Sequence, residues 1–184
     1  NFDLEKSHVL PAMVRKIYLS KLLANNEWDE IRKDLSKRPV SLINENSSED
    51  EIKNRLSDFG ITQGKVLLWG TGRPMREFLW SEDMAAACIF IMENIDFADL
   101  SKNKTEIRNT HINIGTGKDI TIKDLSELVA NTVGFQGEIT FDSSKPDGTM
   151  RKLVDVSKLN ELGWKYSVEL DEGVKKIFNW YLSN

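Results

Sequence analysis

Residues 65–79, K-V-L-L-W-G-T-G-R-P-M-R-E-F-L, constrain the fold more than any other stretch of the chain. Val66, Leu67 and Leu68 form a short apolar run between Gly64 and Gly70, which predicts a buried strand. Gly70 and Gly72 permit backbone angles closed to residues with a Cβ, and Pro74 fixes the exit from the turn. A second strand is expected after it. Arg73 and Arg76 place two guanidinium groups near Trp69, and a planar, permanently charged fork suits phosphate. The same residues also suit a plain solvated turn, since short glycine-rich turns are common punctuation.

The length of 184 residues suits one domain with its own core. A net charge of -4 argues against a general nucleic-acid surface. Basic residues cluster locally at Arg15 and Lys16, at Arg73 and Arg76, and at Lys145, Arg151 and Lys152, a pattern suited to a small anionic ligand. Cys88 has no second cysteine to pair with, and its setting in A-A-A-C-I-F-I-M predicts a buried core position on a helix. With two histidines and no zinc-ligand spacing, no metal site is expected. The longest apolar run is too short to span a bilayer and no signal peptide is visible, so no membrane association is expected. The chain opens on Asn1 in loop-like sequence and reads as a fragment.

Residues 7–25 predict a helix with Pro11 in its first turn, a stripe of Leu10, Met13, Val14 and Ile17, and Arg15 and Lys16 off that stripe. His8 precedes it, as a surface or capping histidine or as a group beside a bound anion. Residues 26–63 are polar and charge-rich and read as a peripheral insertion of two short amphipathic helices, the second opened by a capping box at Ser48 and stopped at Gly60. A helix over 81–93, capped by Ser81 or Asp83, buries Cys88, Ile91 and Met92. A loop over 94–109 and a short strand over 111–115 follow. Thr121 caps a helix ending at Gly134, residues 138–141 form a strand, and Lys145-Pro146-Asp147-Gly148 is a turn. Asp155 caps a short helix and Asp171 opens the last one. The fold class is mixed α/β with short scattered strands.

Gly70 and Gly115 each begin a Gly-x-Gly turn, but Met75 and Ile120 stand where the third glycine of a dinucleotide loop belongs. No Tyr-x-x-x-Lys pair is present, because Tyr18 is followed by Leu22 and Tyr166 by Leu170. Gly-x-Ser-x-Gly, HExxH and P-loop patterns are also missing.

Five segments occur in order: S-H-V-L-P-A at 7–12, W-G-T-G-R-P-M-R-E-F-L at 69–79, D-M-A-A-A at 83–87, H-I-N-I-G-T-G at 111–117 and S-K-P-D-G-T-M-R-K-L at 144–153. Together they closely resemble the C-terminal part of the GDP-L-fucose synthases, which are extended short-chain dehydrogenase/reductases. The resemblance covers nearly all of the chain outside 26–63. It implies a small mixed α/β substrate-binding domain spanning 1–184, with a helical insertion at about 26–63 and the Rossmann half absent. It also implies an NADP-dependent enzyme that epimerises GDP-4-keto-6-deoxy-D-mannose and reduces it to GDP-L-fucose. The dinucleotide is bound mainly by the missing half, so the fragment alone is expected to be inactive. The full-length protein is expected to be a cytoplasmic homodimer.

By position, His8 matches the family's acid/base histidine, which also lies near the cofactor. Lys16, Trp69, Arg76 and Lys152 match positions associated with the GDP-sugar, Asp147 lies in the same signature turn, and Arg15 is a looser neighbour. Inverting a carbon next to a ketone needs a base on one face and an acid on the other, and a histidine changes protonation near neutral pH. Trp69 suits either a nucleotide contact or the core. The chain departs from the pattern at Trp80-Ser81-Glu82-Asp83, where His-Val-Asp-Asp is usual. A related sugar-nucleotide epimerase or dehydratase and a non-catalytic nucleotide-sugar-binding module are the competing readings.

Overall fold

The structure is a computed structural model that describes residues 1–102 and 104–184. In chain order the elements are α1 (Val9–Asn25), α2 (Trp28–Lys37), α3 (Glu49–Asp58), β1 (Ile61–Thr62), β2 (Lys65–Trp69), β3 (Met75–Glu77), α4 (Ser81–Asn94), α5 (Phe97–Ser101), β4 (Asp119–Thr121), α6 (Ile122–Val133), β5 (Glu138–Asp142), β6 (Arg151–Lys152), α7 (Ser157–Glu161) and α8 (Leu170–Ser183). They fall into two compact units: residues 1–74, 121–150 and 174–184 form the first, and residues 75–120 and 151–173 the second.

In the first unit β2 lies between β1, which runs antiparallel to it, and β5, which runs parallel. Along β2 the pleat sends Val66 and Leu68 into the core, while Leu67 is 37% and Trp69 71% exposed. The apolar run is therefore a one-sided strand, and Trp69 is not a core residue. His8 caps α1 in extended conformation, and Pro11 falls in the first turn, where its missing N–H is one the helix leaves unpaired anyway. The predicted stripe is buried at Met13, Val14 and Ile17. Ser48 accepts from the Glu51 amide and completes its capping box, and Thr121 accepts from the Asp124 amide at the start of α6.

The helices of residues 26–63 are not peripheral. Ile31 and Leu35 of α2, Ile52 and Leu56 of α3, and Ile61 of β1 join Leu19, Leu22 and Leu23 of α1 in one buried cluster. High surface charge disguised this segment, because its charges, the buried Asp34 apart, lie mainly on the outer helix faces.

In the second unit the sheet order is β4-β3-β6, with β3 and β6 parallel and Arg76 opposite Lys152. Thus β2 and β3 belong to different sheets, and the stretch 65–79 is a passage from one unit to the other at Pro74 rather than a hairpin. Residues 111–115 are not a strand. Lys158 Nζ donates to the carbonyls of Asn109 (2.6 Å) and His111 (2.6 Å), so side-chain bonds hold this segment. The stretch 94–109, expected as a loop, contains α5, opened by an Asp96–Asp99 capping box; residue 103 of that stretch lies outside the described residues. In α4, only Asp83 and Ala87 are buried; Cys88 is exposed and Met92 is 76% exposed. Periodicity identified an apolar helix there, but not what covers it. Asp83 does not cap α4: its carboxylate accepts from the Ser167 amide and hydroxyl and the Val168 amide. The substitution at Trp80 leaves the helix intact, with Trp80 as its N-cap.

Arg15, expected off the buried stripe, is 1% exposed. Its Nε (2.9 Å) and Nη2 (2.8 Å) meet one oxygen of the buried Asp34, and Nη1 donates to the Phe2 carbonyl (3.1 Å). The other Asp34 oxygen accepts from the Tyr181 hydroxyl (2.5 Å) and from Arg38 (3.2 Å). Burial, reinforced by the Asp34 charge, pushes the Tyr181 hydroxyl far above its ordinary pKa, so it remains a donor. Arg15 is thus tied into the frame that joins α1, α2 and α8. Removing one partner of such a buried pair leaves the other charge uncompensated. Asp34→Ala is expected to lower unfolding free energy by about 3–5 kcal/mol, and Tyr181→Phe by about 1–3 kcal/mol, both read from urea denaturation.

Candidate functional site

Both Gly-Thr-Gly turns are held by a carboxylate. In the first unit Asp147 accepts from the Thr71 amide (2.8 Å) and hydroxyl (2.7 Å). In the second, Glu77 accepts from the amides of Thr116 (2.6 Å) and Gly117 (2.7 Å) and from the Thr116 hydroxyl (3.2 Å). Gly70 has φ +85°, and a Cβ there would lie 2.4 Å from Asp147 Oδ1. A Cβ on Gly115 would lie 2.5 Å from Glu77 Oε1. These glycines admit the carboxylates, and the turn amides so engaged are not presented to a phosphate. The hydrogen bonds from Thr71 hold the Asp147 carboxyl below the usual carboxylate range. Sequence reasoning missed Glu77, Thr71 and Thr116; the signal available was the repetition of Gly-Thr-Gly itself.

Four of the expected site residues fall in the first unit. His8 is exposed at the N-terminus of α1, and its side chain makes no capping hydrogen bond. Lys16 and Trp69 line the same cavity of about 460 Å³, with Met13 of α1, Leu68 of β2, and Asp58 and Phe59 at the end of α3. This volume lies within the range of small-molecule sites. Lys16 Nζ donates to the Phe59 carbonyl (2.7 Å), and burial pushes the Lys16 pKa down. Lys145 stands 5.5 Å from the Trp69 ring centroid. Asp147 has both carboxylate oxygens engaged by Thr71, so its role here is to set the turn that follows Trp69.

The other two are in the second unit. Arg76 lines a cavity of about 230 Å³ together with Lys118, Tyr166 and Glu169, and Lys152 is its cross-strand partner on β6. Lys152 is exposed. Among the described residues no group of three or more His, Cys, Asp or Glu is placed to hold a metal ion. No helix among them is long and apolar enough to cross a membrane.

Comparison with known proteins agrees with this architecture. The profile of the NAD dependent epimerase/dehydratase family matches residues 41–115. A probable GDP-L-fucose synthase 1 of Oryza sativa subsp. japonica is 38% identical over 184 residues, which is 100% of this chain and 41% of the relative. That alignment includes the segment 26–63. The crystal structure of a GDP-6-OMe-4-keto-L-xylo-heptose reductase from Campylobacter jejuni superposes with TM-score 0.87 at 46% identity, covering 100% of this chain and 50% of that one. A GDP-D-glycero-L-gluco-heptose synthase from the same organism, solved in the presence of NADPH, gives TM-score 0.84 at 44% identity over 100% of this chain and 49% of that one.

The mixed α/β fold and these similarities define part of an extended short-chain dehydrogenase/reductase. Within that class the chain is similar over its whole length to a GDP-L-fucose synthase and to GDP-heptose enzymes, and it spans from two fifths to half the length of these relatives.

The clasp at Gly70 makes a coupled prediction. Gly70→Ala carries a positive-φ cost of roughly 1–2 kcal/mol and a collision with Asp147 besides. Asp147→Ala relieves the collision but not the φ cost, so the double variant is expected to be more stable than the sum of the single effects, measured in a denaturation cycle. In the unsubstituted protein the contribution of Asp147 is complete above the ordinary value of 3.8. It is lost as pH falls through the depressed folded value, where the carboxyl takes up its proton.

Proposed function

We propose that residues 1–184 are the substrate-binding domain of an NADP-dependent GDP-sugar epimerase/reductase. The observation that carries this reading is the whole-chain similarity to GDP-sugar enzymes. The cavity bearing Lys16 and Trp69 gives it a physical basis. We take the reaction to be 3,5-epimerisation and 4-keto reduction of GDP-4-keto-6-deoxy-D-mannose to GDP-L-fucose, performed in the cytoplasm by a homodimer.

Epimerisation removes a proton from a carbon beside the ketone and returns one to its opposite face. His8 is assigned as the acid/base group, since its imidazole is exposed at the N-terminus of α1 and carries nitrogens that can both donate and accept a proton. Lys16 and Trp69 are assigned to the nucleotide, and Arg76 and Lys152 to the charge of the diphosphate-sugar. Asp147 is assigned to the substrate indirectly, through the turn after Trp69. Neither glycine turn of this chain fits a dinucleotide, because their threonine amides are taken by carboxylates. NADP is therefore assigned to sequence beyond these residues, and no step here is routed through it.

A second reading has its own support. The two Campylobacter jejuni heptose enzymes are 44–46% identical over the whole chain, against 38% for the rice relative. A GDP-4-keto-heptose is thus the competing substrate, and the ratio of kcat/KM for the two sugars decides between them.

Arg76→Ala in the full-length protein is expected to lower kcat/KM for the GDP-keto-sugar about ten- to hundredfold, followed by NADPH oxidation. An unchanged value removes Arg76 from the site. The 184 residues alone are expected to oxidise no NADPH, and turnover by them would overturn the proposed division of labour. GDP affinity should be full while Lys16 is charged and decline as pH rises through its depressed pKa, below the ordinary 10.5. Titration calorimetry across alkaline pH checks this, with Lys16→Gln expected to show a smaller decline that reports the guanine N1–H alone.

A further inference from the structure

The cavity beside Lys16 has one end whose chemistry the reading above leaves unassigned. Glu5 and Asp58 both line it, and both are held by one residue. Arg55 of α3 reaches Glu5 Oε1 (3.1 Å) through Nη2 and Asp58 Oδ2 (3.1 Å) through Nη1, while its Nε donates to the Ser41 carbonyl (2.9 Å). The same guanidinium lies 4.6 Å from the Phe59 ring centroid. Phe59 in turn presents its carbonyl to Lys16 Nζ. One residue of α3 therefore sets two carboxylates and an aromatic ring, and the neighbouring backbone sets a lysine, around one cavity. Ile52 and Leu56 anchor α3 in the core, so Arg55 and Asp58 stand on a packed helix, while Glu5 joins this wall from the segment before α1.

Lys16 is the cation among the residues lining this cavity, and with Arg55 engaged by both carboxylates the wall offers no excess positive charge for a diphosphate. It suits a flat base, since Met13, Leu68, Phe59 and Trp69 supply apolar and aromatic surface. Each carboxylate keeps an oxygen that accepts no hydrogen bond among the described residues: Glu5 Oε2 and Asp58 Oδ1. Lys16 has three N–H donors and donates one to Phe59. The edge of guanine carries an acceptor, O6, followed by two donors, N1–H and the 2-amino group. An ammonium followed by carboxylates is complementary to that sequence. Uracil and thymine present a single N–H between two carbonyl oxygens, which a carboxylate repels.

Resting on the GDP-sugar reading, we infer that this cavity holds the nucleobase and that Asp58 and Glu5 select guanine, with Lys16 on O6. The segment 26–63 thereby acquires a function: through α3 and its C-terminal end it builds the specificity wall of the nucleotide site.

The test is titration of the full-length protein with GDP, inosine diphosphate, which lacks the 2-amino group, and UDP. The unsubstituted protein should bind GDP about tenfold or more tightly than inosine diphosphate, and UDP more weakly still. Asp58→Asn and Glu5→Gln, which keep the shape of the side chains, should weaken GDP about ten- to hundredfold and bring the GDP to inosine diphosphate ratio toward one in at least one of the two. A thermal midpoint matching the parent shows that the fold is retained; if one variant unfolds, the other carries the test. Tight GDP binding with an unchanged ratio in both variants overturns the inference and leaves the GDP-sugar reading standing. GDP binding no better than UDP in the unsubstituted protein overturns both.

Discussion

A carboxylate that accepts both the amide and the hydroxyl of a threonine is the interaction on which this structure turns. It occurs twice, at Asp147 with Thr71 and at Glu77 with Thr116. Each fixes a Gly-Thr-Gly turn, and each needs a glycine because the carboxylate occupies the space of a Cβ. The first turn directs the chain from β2 to β3, between units. The second stabilises the passage toward β4 and, through Glu77, reaches the Val154 amide. A charged acceptor on a buried or half-buried amide is stronger than a neutral one, so two short turns are held without a hairpin ladder.

The second organising feature is the ionic frame around Asp34. Arg15, Arg38 and Tyr181 converge on one carboxylate from α1, the end of α2 and α8. Such a group contributes geometric definition more than net stability, since desolvation offsets much of the Coulombic gain. It holds α1 in register, and α1 carries Lys16 on the turn adjacent to Arg15. The two neighbouring cations thus have opposite roles. Arg15 is locked in the frame, while Lys16, one residue on, turns to the cavity. Helical geometry separates adjacent side chains by about 100°, so adjacency in sequence said nothing about a shared role.

The candidate site residues rest on the resemblance of specific segments, not on chemistry that announced itself. Trp69 illustrates the limit. A tryptophan ending an apolar run reads equally as core or contact, and only the pleat of β2 placed it outward. Glu5, Asp58 and Phe59 were invisible for a different reason. Glu5 lies 53 residues before Asp58 and 54 before Phe59, and Arg55 brings them to one wall only after α3 packs on α1.

The sequence by itself determined the local events. Capping residues, turn glycines, the helix stripes of α1 and α6, and the mixed α/β class all follow from short-range sterics and hydrogen bonding. It also showed that neither glycine turn completes a dinucleotide loop. Only the tertiary structure decided that residues 65–79 link two sheets, that residues 111–115 stay out of any strand, and that residues 26–63 belong to the core. It also decided that Cys88 and Met92 face outward. These depend on which surfaces meet, and pairing and burial are long-range choices that periodicity along one segment does not encode.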